Sequence, residues 1–220
     1  MKGKVVMLVG SSGLVGSHLL AGMLEKADIS EVRILVRQPT SLVHDKLKSF
    51  VTQFDGDYPN DDFFNVDALY CCIGTTRKKT PDLNQYRVID FGIPMEVAKR
   101  VKSQGCKEIH LVSSLGAKAS SKNFYLKIKG ETEEGIASLG FESTFIYRPA
   151  LLIGKRKEAR ILENIGQKLS FVFDILSFGG KYHSMKVSLL AQTMLTVASK
   201  KGIFHLYYPD CKALVNQKNL

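Results

Sequence analysis

Two groups of side chains in this sequence have the types and spacing to move a proton. Tyr125 and Lys129 stand four apart in Phe124-Tyr-Leu-Lys-Ile-Lys-Gly130, so on a helix they share a face, one turn apart. A free phenol ionises near pH ~10, too high to give up a proton readily at neutrality. An ammonium beside it stabilises the phenolate and brings the equilibrium toward the working range. Ser113 and Ser114 follow a buried-type run, Lys107 to Val112, and their hydroxyls can orient a carbonyl or alcohol oxygen. By itself a Tyr and a Lys at this spacing describe any solvated helix face; their place in the chain supplies the weight.

That place is set by the opening stretch, Lys4 to Leu24. A β-branched run, Val5 to Val9, meets Gly10, Gly13 and Gly16, and helical apolar spacing then takes over through Leu14, Val15, Leu19, Leu20, Met23 and Leu24. Strand, tight turn and helix are predicted. Gly10 lets the strand turn, Gly13 lets backbone approach a diphosphate, and Gly16 lets the helix lie close on the strand. The first free N–H groups of the helix then face an anion, which the macrodipole favours. A glycine turn of an ordinary α/β protein is the alternative; the strand before it and the amphipathic helix after it favour a dinucleotide site.

A second buried-type strand, Val32 to Val36, ends in Arg37. An acid at this point accepts hydrogen bonds from a ribose 2′-hydroxyl, whereas an Arg pairs with a 2′-phosphate, so NADP(H) is favoured over NAD(H). Stacking on adenine, or plain solvation, is the alternative for Arg37. Residues 40–62 show a weak helical pattern through Leu42, Val43, Leu47 and Phe50, then a short third strand, Val51 to Phe54, with Asp55 at its end. A fourth strand, Val66 to Ile73, closes on Gly74-Thr75-Thr76, a small turn that lets backbone pass the ribose and nicotinamide. Helix follows from Leu83 to Gly105, with Pro94 kinking or dividing it. After the fifth strand and the Tyr125 helix come a sixth strand, Phe145 to Tyr147, an irregular stretch from Leu151 to Gly180, a helix over Ser188 to Ser199 and a last strand, Phe204 to Tyr207. The alternation predicts an α/β fold: a doubly wound parallel sheet with right-handed crossovers, the Rossmann architecture. Residues 1–220 read as one domain, with 151–220 forming a small substrate-side appendage.

The chain has 45% hydrophobic and 24% charged residues, which excludes disorder as a class, and Lys plus Arg exceed Asp plus Glu by 31 to 21. The basic residues recur in short clusters, Arg77-Lys78-Lys79, Lys155-Arg156-Lys157 and Lys200-Lys201, without interleaved aromatics. They read as solvated surface, some of it able to meet a phosphate-bearing cofactor, and nucleic acid is not an expected partner. Cys71, Cys72, Cys106 and Cys211 lack metal-ligand spacing, and no metal is expected; His110 and His183 read as structural. A reducing cytoplasm is the expected compartment. Neither a signal peptide nor a membrane span is expected, since the apolar run after Lys4 is short and Leu169 to Leu176 is broken by Asp174. The apolar piece from Leu169 to Phe178 reads as core, with a substrate lid or an oligomer contact as alternatives.

Gly10-x-x-Gly13-x-x-Gly16 with Tyr125-x-x-x-Lys129 resembles the short-chain dehydrogenase/reductase superfamily in its extended or atypical branch. Cys71-Cys72-Ile73-Gly74-Thr75-Thr76-Arg77, Ser113-Ser114-x-Gly116-Ala117, Tyr125-Leu126-x-x-Lys129-Gly130-Glu131 and Arg148-Pro149 resemble, more narrowly, the NADPH-binding HIV Tat-interacting-protein oxidoreductase group. The resemblance implies cofactor contacts from Ser12, Gly13, Leu14, Val15, Arg37, Ile73, Gly74, Tyr125, Lys129, Leu152 and Arg160. Three departures stand out. Gln38 replaces a second Arg, the superfamily's catalytic Asn has no clear counterpart between Asn84 and Asp90, and the C-terminal part is short for a nucleotide-sugar pocket.

The expected activity is hydride exchange between NADP(H) and a small carbonyl or alcohol, with Tyr125 passing the proton and Lys129 also holding the nicotinamide ribose. The rival is an NADP(H)-sensing module that answers to a protein partner with little turnover. A homodimer is compatible with either.

Overall fold

Along β1 (Lys4–Val9) successive side chains leave opposite faces of the strand, and each face meets its own core. Val6 and Leu8 join one cluster, with Val32, Ile34, Leu19 and Met23. Met7 and Val9 join the other, with Leu35, Leu69, Ile109 and Val97. Burial on both sides is what a central parallel strand requires. The computed structural model describes residues 3–154 and 180–217.

The sheet has seven strands, all parallel, in the order β3-β2-β1-β4-β5-β6-β9. Beyond β1 these are β2 (Ile29–Val36), β3 (Leu47–Val51), β4 (Ala68–Cys71), β5 (Glu108–Val112), β6 (Ser143–Tyr147) and β9 (Gly202–Leu206). Two short strands, β7 (Leu152–Ile153) and β8 (Met185–Lys186), pair separately. Helices α1 (Leu14–Glu25) and α5 (Val187–Thr196) cover the face of Val6 and Leu8, with α6 (Tyr208–Gln217) packed on α5. Helices α3 (Ile93–Ser103) and α4 (Phe124–Ser138) cover the other face. The doubly wound parallel fold is therefore as expected. The strand order reverses between β1 and β4, the point at which such sheets leave a crevice beyond their carboxyl ends.

Two local expectations are corrected. No helix forms over Leu42 to Phe50, and the third strand is Leu47–Val51 rather than Val51 to Phe54. Leu47 packs on the α1 side and Phe50 on the α3 side. A spacing of three mimics a helix face in sequence, yet in a strand it sends the two side chains to opposite cores.

The long helix after β4 is divided, as Pro94 suggests. A short α2 (Leu83–Arg87) runs into a π-helical turn (Val88–Gly92), and α3 restarts with Pro94 in its first turn. The Ile93 N–H reaches back to the Val88 carbonyl. Pro94 has no N–H to give the carbonyl four residues earlier. That carbonyl belongs to Asp90, and the Thr132 hydroxyl of α4 is shared between it, at 3.0 Å, and the Ile128 carbonyl of its own helix, at 2.8 Å. A side chain from the neighbouring helix thus satisfies the acceptor that proline abandons, and the two helices are fastened together there.

Candidate active site

Gly10 leaves β1 with φ +88°, and a β-carbon there would lie 2.7 Å from the Cys72 carbonyl carbon and oxygen and the Ile73 nitrogen. The turn after β1 is thereby pressed against the segment after β4, across the reversal of strand order. At Gly16 a β-carbon would lie 2.0 Å from the Gly10 carbonyl oxygen, so only a bare Cα lets α1 begin so close to β1. Gly13 caps α1 in extended conformation, and no side chain bonds to the cap or carries negative charge in the first turn. The N–H groups of Leu14, Val15 and Gly16 precede the first intrahelical bond, which runs from Ser17 to Gly13. Ser12 is exposed beside them, and the Val15 side chain is buried in the core.

Because all strands of the sheet are parallel, the segments after β1, β2, β4 and β5 emerge at one edge. Arg37, directly after β2, is exposed and enters no ion pair among the described residues. Ile73, Gly74 and Thr75 follow β4; Ser113 and Ser114 follow β5. Ser113 is 5% exposed, and its buried Oγ has no hydrogen-bond partner among the described residues. Leu152 lies on β7 and packs, like Leu14, against the α1-side core. Arg160 and the apolar piece from Leu169 to Phe178 lie outside the described residues.

Asn123 caps α4, its Oδ1 accepting from the Leu126 N–H at 3.1 Å. Tyr125 is therefore the second residue of α4 and Lys129 stands one turn on. Tyr125 is 37% exposed, whereas Lys129 is 6% exposed. A buried ammonium needs a counter-charge, and here it is Asp90, whose Oδ1 lies 3.0 Å from Lys129 Nζ. That oxygen makes no aligned hydrogen bond among the described residues, while Oδ2 accepts from the Thr75 N–H at 2.8 Å. Burial pulls the Lys129 ammonium toward neutrality, but Asp90 and the Tyr125 phenol outweigh it and hold the ammonium above the ordinary lysine range. A β-carbon added at Gly74 would sit 3.3 Å from Asp90 Oδ1 and 3.4 Å from Lys129 Nζ. The four residues Cys72 to Thr75 thus run from contact with the glycine turn to contact with the Asp90–Lys129 pair.

Asp90 is the residue that sequence reasoning missed. A signal existed: Pro94, Val97, Ala98 and Val101 form a buried stripe, and the same spacing continued one turn back falls on Asp90. A carboxylate in register with an apolar stripe needs a partner. His110 is a core residue, stacked on Tyr70 at 4.2 Å between centroids and bonded through Nδ1 to the Tyr147 hydroxyl and through Nε2 to Glu108.

No family model matches the chain. Solved structures share its fold. UDP-N-acetylglucosamine 4-epimerase from Methanobrevibacter ruminantium superimposes with a TM-score of 0.67 at 16% identity, over 94% of this chain and 77% of that one. The NAD+ complex of WbmH from Bordetella bronchiseptica gives 0.67 at 17% identity over 93% and 75%, and the PhqB reductase domain from Penicillium fellutanum 0.69 at 16% over 96% and 68%. The fold is thus the Rossmann-like α/β fold of these proteins. Among curated proteins, mitochondrial FMP52 of Debaryomyces hansenii is 36% identical over 160 residues, 71% of this chain and 70% of that protein. The Candida albicans protein is 35% identical over 162 residues, 71% of each, and that of Aspergillus fumigatus 35% over 192 residues, 81% and 77%. All three carry a mitochondrial designation, which overturns the expectation of a cytoplasmic protein. The expectation rested on cysteines without a disulfide or metal pattern, and such usage does not tell one compartment from another. At this identity and coverage, the chain belongs to the FMP52 family.

Proposed function

We propose that this protein is an NADP(H)-dependent oxidoreductase acting on a small carbonyl or alcohol, and that, like its relatives, it works in the mitochondrion. The observation that carries the reading is the continuity of Cys72 to Thr75, with the glycine turn against one end and Lys129 against the other. A diphosphate at the uncapped start of α1 and a nicotinamide beside Lys129 would lie along one crevice. The resemblance to the Tat-interacting-protein oxidoreductase group supports the same assignment, and Arg37, exposed directly after β2, is the group we assign to a 2′-phosphate.

A bound nicotinamide supplies or accepts the hydride. The chain's own residues do the rest. Ser113, with its unpartnered hydroxyl, and Ser114 hold the substrate oxygen; Tyr125 gives that oxygen a proton in reduction and takes it back in oxidation. Lys129 steadies the phenolate by charge. Residues 151–220 supply the substrate side. A positioned general acid contributes ~10²–10⁴-fold, so Tyr125→Phe is expected to cut turnover of aldehydes, ketones or quinones by at least ~100-fold while NADPH binding, followed by nicotinamide fluorescence, persists. Equal turnover in both proteins removes Tyr125 as proton donor; NADPH binding without turnover in the wild type favours a sensing module.

A further inference from the structure

We infer that Asp90 is a positioning residue of this site: it fixes Lys129 as a permanent cation and ties it to the Gly74–Thr75 turn, so that Lys129 acts on Tyr125 through charge alone and solvent restores the proton that Tyr125 spends. The inference rests on the dinucleotide reading for its place in a reaction, and on geometry for the pair itself.

Three features converge on the Asp90 side chain. The π-helical turn, opened where Pro94 cannot donate, carries it inward to 1% exposure, and such turns recur at functional sites. Its Oδ2 takes the Thr75 N–H at 2.8 Å, fixing the turn that follows β4. Its Oδ1 pairs with Lys129 Nζ at 3.0 Å, and an ammonium has three donors, so others are left for a ribose hydroxyl. Thr132, three residues beyond Lys129 on α4, holds the Asp90 carbonyl. Backbone and side chain of Asp90 are therefore both engaged, and the carboxylate is held toward the lysine.

Among the described residues, the groups facing Lys129 are few. Tyr125 approaches from its own helix, Asp90 from the π turn, and Cys71 and Cys72 from the end of β4. Burial pushes the Cys71 thiol up to about 11 and raises that of Cys72 as well, so both stay neutral near pH 7. Asp90 is then the counter-ion that keeps the buried ammonium charged. A lysine held charged does not release a proton, and cannot hand one on. In reduction, the hydride from the reduced nicotinamide dinucleotide goes to the carbonyl carbon and the Tyr125 proton to its oxygen. The phenolate left behind, on a side chain 37% exposed, takes its replacement proton from water.

The test follows lysine side-chain signals by heteronuclear NMR across pH 6–11, with Lys129 identified by the signal lost in Lys129→Arg. In the wild type Lys129 is expected to stay charged through pH 10. Asp90→Asn keeps the shape and an acceptor for the Thr75 N–H but removes the charge; the Lys129 midpoint should fall by at least one pH unit, tenfold in the protonation equilibrium, and Asp90→Glu should restore much of it. During turnover the wild-type pH profile should lack a lysine limb that Asp90→Asn acquires. Wild-type titration of Lys129 between pH 7 and 9 overturns the inference even if no variant folds, as does an unchanged midpoint in Asp90→Asn. NADPH titration of the wild type is read separately: absent binding with Lys129 charged overturns the dinucleotide reading and the place of the pair in catalysis, whereas binding with a titrating Lys129 overturns only the role given to Asp90.

Discussion

The tightest contact in the glycine turn between β1 and α1 makes a quantitative demand. In Gly16→Ala the new β-carbon would stand 2.0 Å from the Gly10 carbonyl oxygen, 2.7 Å from its carbon and 3.0 Å from Ser11 Cα. The first of these is about 1.5 Å short of the ~3.5 Å at which non-bonded atoms sit comfortably, and every atom met is backbone, without a rotamer to yield. Either α1 lifts away from β1 or the turn opens. Overpacking costs ~1–3 kcal/mol, and a clash with backbone alone belongs at or beyond the upper end. Replacing glycine in a helix returns at most ~1 kcal/mol in propensity. The net expectation is a loss of ~2 kcal/mol or more. Gly22→Ala is the control in the same helix: its β-carbon would meet Leu195 Cδ1 at 2.5 Å, the movable end of a side chain, so stability should change by less than ~1 kcal/mol. Urea unfolding measures both. With a slope of ~2–3 kcal/mol/M, Gly16→Ala should move the midpoint down by ~1 M and weaken NADPH binding, with Gly22→Ala near wild type. Equal midpoints for the two variants would refute the claim that backbone contact at Gly16 sets the seat of α1.

Other perturbations reach different parts of the molecule. Arg37→Ala should weaken NADPH binding ~10-fold or more, the worth of a charge-assisted bond, and leave NADH binding within ~3-fold; an equal loss for both cofactors would remove Arg37 from the 2′-phosphate. Burial holds the His110 imidazole below its ordinary range despite the opposing pull of Glu108, so on acidification the unfolded chain takes up a proton before the folded one does. Stability should therefore fall as pH drops below the ordinary histidine value of 6.5, by up to ~1.4 kcal/mol per pH unit for one proton. His110→Gln should flatten that slope between pH 6.5 and 5, and an unchanged slope in urea midpoints would exclude His110 as its source.

How much was legible without coordinates depended on the range of the interactions involved. Val5 to Val9 followed by three glycines and an amphipathic run reports strand, turn and helix, because alternation, turn sterics and helical period act over a few residues. Tyr125 and Lys129 on one face follow from the same local period. Leu47 and Phe50 misled, since a spacing of three was read without knowing that two cores, one on each side of the sheet, awaited them.

The chain by itself determined the doubly wound parallel fold, the glycine turn between β1 and α1 and the shared helix face of Tyr125 and Lys129, each a matter of short-range geometry. Only the tertiary structure decided what Lys129 pairs with. Its counter-ion lies 39 residues away on a turn opened by Pro94 and pinned by the Thr132 hydroxyl from another helix. A buried charge must be matched where it comes to rest, and the partner is chosen by packing, which no stretch of sequence near Lys129 records.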